Sequence, residues 1–182
     1  MAKKTKWLKR LKFEGPYQLS NGAWQEHARS EPMVYRIRAW DLKTKKPRPI
    51  PRAARLDTSG ILDIGESEKG LGRIEAFLGA AQGKKRSHRA GLEYSANEYD
   101  FGSVFPLNTL MVDFLHVESK ELAEALELAL LEEYRWLFKD RPPLNGSAGK
   151  YRKVYDWLHD TIGRDPRDAD GWLDLEGLLP RG

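Results

Sequence analysis

Two short apolar segments, followed by a helix, constrain the fold of this chain more than any other feature. Residues 33–40 alternate apolar with basic side chains, which is the two-residue period of a half-buried strand. Residues 60–65 form an apolar run broken only by Asp63, which is typical of a central strand buried on both faces. Residues 68–82 carry their apolar side chains on one stripe and predict a helix that contains Arg73. The pattern by itself predicts two strands and a helix.

Further elements are predicted downstream. Residues 107–117 predict a third strand, and residues 120–138 predict a long helix with Ser119 as its N-cap. Residues 150–162 predict an amphipathic helix that ends at Gly163. The apolar tail after this helix predicts a short helix packed either on the core or on a partner.

The composition limits the possible classes of protein. A chain of 182 residues with 40% apolar residues and six tryptophans is expected to fold as one domain with short extensions. No segment approaches the roughly 20 apolar residues of a membrane span, and no secretory signal is visible. The absence of cysteine excludes disulfides and thiolate metal sites. We therefore expect a cytoplasmic protein with no membrane partner.

Positive charge is concentrated in three segments. The net charge is only +4, but residues 3–12, 42–55 and 83–91 contain Lys and Arg with no acidic residue among them. Such a run is most often a solvated surface, whereas a polyanionic partner would favour its clustering. Residues 3–12 fit either a short basic helix or a solvated tail, and three prolines in residues 42–55 predict a loop. The candidate nucleic-acid-binding residues are Lys43, Lys45, Lys46, Arg48, Arg52, Lys84, Lys85, Arg86 and Arg89.

Four short motifs follow one another between residues 32 and 145. They are Met33-Val34-Tyr35, Leu62-Asp63-Ile64-Gly65-Glu66-Ser67, Gly72-Arg73, and Glu127 with Leu130-Leu131, Tyr134 and Pro142-Pro143-Leu144-Asn145. The closing motif has a Glu on a helix, an apolar pair one turn on, and Pro and Asn in the next loop. In this order the motifs resemble the core of the GIY-YIG nuclease superfamily, and the four together are far more specific than any one alone.

The resemblance implies a fold and a set of roles. The implied fold is an α+β domain with an antiparallel sheet of about three strands, flanked by helices. Tyr35 would help to activate the attacking water, Arg73 would stabilise phosphate charge, and Glu127 would bind Mg²⁺ or Mn²⁺. His88 lies where several family members carry a functional histidine. Asn145 is expected to brace the site or the helix of Glu127, although a turn residue is an almost equal interpretation.

The chain departs mildly from the family pattern in its first motif, which reads Met-Val-Tyr, and in a longer link between the two strands. Asp63 is the larger departure, because the family usually has a second tyrosine at this place. A carboxylate there adds a contact for a metal or a water molecule, or else it raises the pKa of Tyr35 and weakens catalysis. Tyr35 is a phenol with a pKa of about 10, so it can activate water only where cations stabilise its anion. Arg73, Arg38 and the metal are the candidates for that stabilisation.

The function implied by the resemblance is divalent-metal-dependent cleavage of nucleic acid, with DNA as the expected substrate. One alternative is a nucleic-acid-binding module that keeps the fold without catalysis. Another is an assembly component that uses the C-terminal tail to contact a protein partner or a second copy of the chain. The predicted layout is a basic N-terminal arm over residues 1–30, a catalytic domain over 31–147 and a helical extension over 148–182.

Overall fold

The structure, a computed structural model, describes residues 8–27, 29–84, 87–96, 100–146 and 152–163, and singly Arg167, Leu173, Leu175 and Leu178. These residues form the α+β arrangement that was predicted. The strands are β1 (Glu14–Gln18), β2 (Met33–Asp41), β3 (Lys46–Pro47), β4 (Ile50–Pro51), β5 (Leu56–Asp57), β6 (Ile61–Ser67) and β7 (Leu110–His116). The α-helices are α1 (Leu71–Ala81), α2 (Arg89–Ser95), α3 (Phe101–Val104), α4 (Lys120–Phe138) and α5 (Arg152–Ile162).

An antiparallel sheet organised around β2 forms the centre of the fold. β2 pairs with β7 on one side and with β6 on the other, β1 extends the sheet beyond β7, and β3 pairs with the last residues of β2. In the described part of the chain this sheet has five strands, so the predicted count of about three is too low. β1 escaped prediction because Gly15 and Pro16 interrupt its alternation, and β3 because it has only two residues.

β6 lies at an edge of the sheet, whereas a central position was predicted. Among the described strands it pairs only with β2. It is nevertheless buried along most of its length, because helices cover both of its faces and the loop after α4 covers its free edge. In that loop the Leu144 N–H donates to the Leu62 carbonyl at 2.9 Å. The apolar run therefore indicated burial correctly but could not indicate strand order.

The helices form a layer on each face of the sheet. α4 and α5 pack on the face that carries Val34 and Ile64, and α1 and α2 pack on the face that carries Ile37 and Leu62. The predicted N-cap is confirmed, since the Ser119 hydroxyl accepts from the Leu122 N–H at 3.1 Å. α5 ends, as predicted, at Gly163, whose φ of 69° suits a residue without a Cβ.

Both ends of the described chain pack on the α4–α5 layer. Leu173 and Leu175 are buried there, so this part of the tail packs on the core and not outward. At the other end Leu8–Arg10 form a 3₁₀ turn with Leu8 buried. Residues 11 and 12 follow this turn without regular structure, so the predicted helix does not continue there, and residues 3–7 lie outside the described residues. Among the helices described, none is both long enough and apolar enough to span a membrane.

Candidate functional site

A cleft of about 440 Å³ opens along the free edge of β6. Side chains can reach it from both faces of the sheet, because no strand continues the sheet on this side in the described part of the chain. α1 and α2 contribute from one face and α4 contributes from the other. All six candidate catalytic residues line the cleft: Tyr35, Asp63, Arg73, His88, Glu127 and Asn145.

Tyr35 lies at the floor of the cleft, packed on the backbone of Gly65. The two residues are paired across β2 and β6. A Cβ added at Gly65 would lie 2.4 Å from the Tyr35 hydroxyl oxygen and 2.5 Å from its Cζ, so only glycine allows the ring this position. Tyr35 itself is 1% exposed. The glycine of the second motif thus holds the tyrosine of the first in place.

His88 fixes the hydroxyl end of Tyr35. Its Nε2 lies 3.2 Å from the Tyr35 hydroxyl, and its Nδ1 accepts from the Gly91 N–H at 3.4 Å as the N-cap of α2. Burial first, and the charge of Arg73 second, lower the pKa of His88 to about 4, so the ring is neutral at pH 7. Because Nδ1 accepts, the hydrogen-bond pattern assigns the ring proton to Nε2, which then donates to Tyr35.

Arg73 supplies positive charge at the cleft from the first turn of α1. Burial raises the pKa of Tyr35 well above its ordinary value, and Asp63 raises it further, while the Arg73 guanidinium opposes both effects. Arg38, the other cation expected near Tyr35, does not contribute. It lies on the opposite face of β2, where it binds Asp113 at 2.9 Å and the Ser59 carbonyl at 2.9 Å.

Among the described residues, four carboxyl groups line the cleft, those of Asp63, Glu66, Glu124 and Glu127. The charge of Arg73 partly opposes the effect of burial on the pKa of three of them. Burial raises the pKa of Asp63 well above its usual range, and the nearby charge of Glu127 adds to this. Burial, followed by the charge of Glu66, raises the pKa of Glu127 to about 8. The pKa of Glu66 is also raised, chiefly by burial. The site therefore concentrates more acidic groups than Arg73 alone can balance.

The donor set restricts the kind of metal that this cleft can hold. Among the described residues, no group of three or more His, Asp or Glu side chains is close enough together to hold a metal ion. Mg²⁺ needs only one or two protein carboxylates, because it keeps several of its waters. Glu127 is half-buried on the wall of the cleft, with Glu66 close enough to raise its pKa. These residues fit a largely hydrated Mg²⁺ or Mn²⁺ and do not fit a closed protein cage.

Asn145 braces β6 by imitating a neighbouring strand. Its side-chain carbonyl accepts from the Ile64 N–H at 2.9 Å, and its amide nitrogen donates to the Ile64 carbonyl at 2.7 Å. Both backbone groups of Ile64 on the open edge are thereby satisfied. The backbone N–H of Asn145 also donates to the Pro142 carbonyl at 3.0 Å, so Asn145 both braces the site and closes a turn.

The predicted nucleic-acid-binding residues divide into two groups by position. Arg89 lines the cleft, and Arg52 reaches the loop that borders it. Lys43, Lys45, Lys46 and Arg48 are exposed beyond the other end of β2, and Lys84 is exposed after α1; none of these five lines the cleft. Lys85 and Arg86 lie outside the described residues.

Among the described residues, Lys153 of α5 is a cation at the cleft that the sequence did not predict. It lines the cleft and its side chain is exposed. The helix was predicted from its apolar residues, among them Val154 and Leu158. A single Lys beside them gives no sign in the sequence of whether it lies at a site or is simply solvated. Only the packing of α5 on α4 brings Lys153 to the site.

We compared the chain with known protein families, curated proteins and solved structures. No family model, no curated protein and no solved structure matches this chain.

Proposed function

We propose that this chain is a divalent-metal-dependent endonuclease of the GIY-YIG type, which hydrolyses phosphodiester bonds in DNA. The observation that carries the proposal is that the residues selected by the resemblance meet in one place. The resemblance selects residues from four separate motifs between Tyr35 and Asn145, and these residues, together with His88, line a single cleft. Residues chosen for unrelated reasons would be scattered over the surface and over both faces of the sheet.

The side chains divide the chemistry of hydrolysis among them. Arg73 binds the phosphate oxygens and stabilises the charge that develops as the water oxygen bonds to phosphorus. Tyr35, in its phenolate form, orients the water and accepts its proton, and the His88 Nε2–H and Arg73 stabilise that anion. The ester oxygen that leaves takes a proton from solvent. A divalent cation, held by Glu127, would supply a Lewis acid for the phosphate.

A second candidate is a nucleic-acid-binding module that has lost catalysis. It is favoured by one specific observation, the burial of Tyr35 beside Asp63. Both raise the pKa of Tyr35 and so oppose the phenolate that water activation requires. In this case the cleft would bind a phosphate through Arg73 and Arg89 without cleaving its ester.

Cleavage of supercoiled plasmid tests the proposal. Wild-type protein is incubated with Mg²⁺, Mn²⁺ or EDTA, in parallel with Glu127→Gln and with Glu121→Gln as the matched control. Glu121 lies in the first turn of the same helix, where it is exposed and does not line the cleft. We expect metal-dependent nicking by the wild type and the control, and a loss of at least about 100-fold in Glu127→Gln, on the scale of a lost charge-stabilising group.

The possible outcomes separate the candidate functions. Nicking that survives in Glu127→Gln contradicts the assignment of the metal ligand. Absence of nicking together with tight, salt-sensitive binding of DNA selects the binding module. Absence of both nicking and binding rejects the two nucleic-acid functions and leaves an assembly role for the chain.

A further inference from the structure

A second concave site lies beside the cleft, on the other side of the loop after α4. It has a volume of about 320 Å³, and Arg52, Arg135, Lys139 and Arg141 line it together with Asp140. Four cations thus face one carboxylate among the described residues that form its wall. Cations near the C-terminus of a helix are favoured by its dipole, which accounts for Arg135 and Lys139. It does not account for Arg52, which comes from a distant segment of the chain.

Asp140, the one carboxylate among the described residues of this site, is already engaged. Asp140 forms an ion pair with Arg52, and it also accepts from the Arg141 N–H at 2.8 Å. Among the described residues, Arg135, Lys139 and Arg141 form no ion pair. The Nε of Arg52 is buried and has no hydrogen-bond partner in the same part of the chain. The site therefore holds unbalanced positive charge around an anchored arginine, an arrangement that suits a phosphate group.

This basic site continues directly from the catalytic cleft. Asn145 and Gly146 line both of them, so a short stretch of backbone is their common wall. The Arg89 guanidinium packs against Gly146, where an added Cβ would lie 2.2 Å from Nη2. Cationic groups accordingly follow one another from Arg73 and Arg89 in the cleft, over Gly146, to Lys139 and Arg141. A polymer of phosphodiesters is a ligand that carries its negative charges in such a succession.

We propose that the site formed by Arg52, Arg135, Lys139 and Arg141 binds a backbone phosphate of the nucleic-acid strand whose scissile phosphate occupies the cleft. This inference rests on the proposed function, and it adds the path of the strand over the Asn145–Gly146 backbone. The contacts go to phosphate, so the site positions the strand without reading its bases.

The test measures binding of a fluorescein-labelled DNA duplex of about 20 base pairs by anisotropy, in EDTA and over a series of salt concentrations. The variant Arg135→Gln/Lys139→Asn removes two exposed cations, and asparagine suits the left-handed φ of 57° at residue 139. The matched control Lys12→Gln/Arg29→Gln also removes two exposed cations, next to β1 at the opposite edge of the sheet. Thermal melting verifies that both variants are folded.

We expect Arg135→Gln/Lys139→Asn, the pocket variant, to bind DNA at least about 10-fold more weakly than the wild type. The slope of log K against log salt should fall by about 1.5 to 2. In the control variant, the slope should change by less than the amount expected for the loss of one phosphate contact. A wild-type slope in the pocket variant, or an equal loss in the control, overturns the inference. Loss of slope in a protein that never nicks plasmid supports the phosphate site while rejecting the nuclease. Nicking by a wild type whose pocket variant binds normally rejects the phosphate site alone.

Discussion

Gly65→Ala is the substitution that tests most directly how the cleft is built. The new Cβ would meet the Tyr35 hydroxyl oxygen at 2.4 Å, Cζ at 2.5 Å and Cε1 at 3.0 Å. These distances are far inside van der Waals contact, so either the ring or strand β6 must move. Tyr35 is 1% exposed and contacts His88, and β6 is braced by Asn145. Neither can move without losing contacts.

The cost follows from overpacking of a closely packed core. Such insertions cost about 1–3 kcal/mol, and for a chain of 182 residues each kcal/mol lowers the melting temperature by about 2–4 °C. We therefore expect Gly65→Ala to melt about 2–12 °C below the wild type. Plasmid nicking should fall more than stability alone explains, because the Tyr35 hydroxyl leaves its position next to His88.

Urea unfolding of five proteins isolates the clash: the wild type, Gly65→Ala, Tyr35→Ala, the double variant and Gly72→Ala. Gly72→Ala is the matched control, since a Cβ there meets nothing within 4 Å, and the change should be neutral or stabilise helix α1 by up to about 1 kcal/mol. In a Tyr35→Ala background the clash is absent, so Gly65→Ala should cost almost nothing. If Gly65→Ala has the same cost with and without the Tyr35 ring, or no cost at all, the proposed packing is refuted.

Three further predictions concern the framework of the site. Asn145→Asp replaces the donor to the Ile64 carbonyl by an acceptor, so urea unfolding at pH 7 should show a loss of about 1–3 kcal/mol. Burial and Arg73 hold the pKa of His88 at about 4, below the unfolded value of about 6.5; the stability linked to its neutral ring is complete above pH 6.5 and decreases as the pH falls towards 4. Between pH 6.5 and pH 4, the free energy of unfolding of the wild type should fall by up to about 3 kcal/mol more than that of His88→Asn. Tyr134→Phe removes a 3.1 Å hydrogen bond to the buried Asp57 and should cost about 1–2 kcal/mol in urea unfolding.

Local signals in the sequence were sufficient for the long elements of the fold. Helix α4 has the predicted bounds because Ser119 caps its start and Lys139, in a left-handed conformation, precedes the two prolines. Strands β2 and β7 follow from their apolar residues to within a few positions. Strand order could not be predicted in this way, since pairing between distant segments depends on contacts that no local pattern contains. The edge position of β6 and the addition of β1 are of this kind.

Recognition of the candidate site depended on residue types and their order, and its physical basis became visible only in the structure. Gly65 could be named as part of a motif, but the reason for a glycine is the ring of Tyr35 packed on it. His88 was a single histidine in a basic segment, and its contact with Tyr35 joins residues 53 positions apart. The basic site beside the cleft contains Arg135, Lys139 and Arg141, whose pattern in the sequence is that of a solvated helix end. Arg52, from a distant segment, lines the same site, and only the folded structure shows this.

The edge position of β6 explains how residues on opposite faces of the sheet can act together. Arg73 and His88 belong to the layer on one face, and Glu127 belongs to the layer on the other. A continuous sheet would keep these layers apart, because its backbone lies between them. At an edge the backbone ends, but its free N–H and C=O groups then need partners. Asn145 supplies two of those partners, both to Ile64, with one side chain, and the Leu144 N–H supplies a third to the Leu62 carbonyl. The asparagine of the closing motif thus stabilises the edge of β6 without a further strand that would close the cleft.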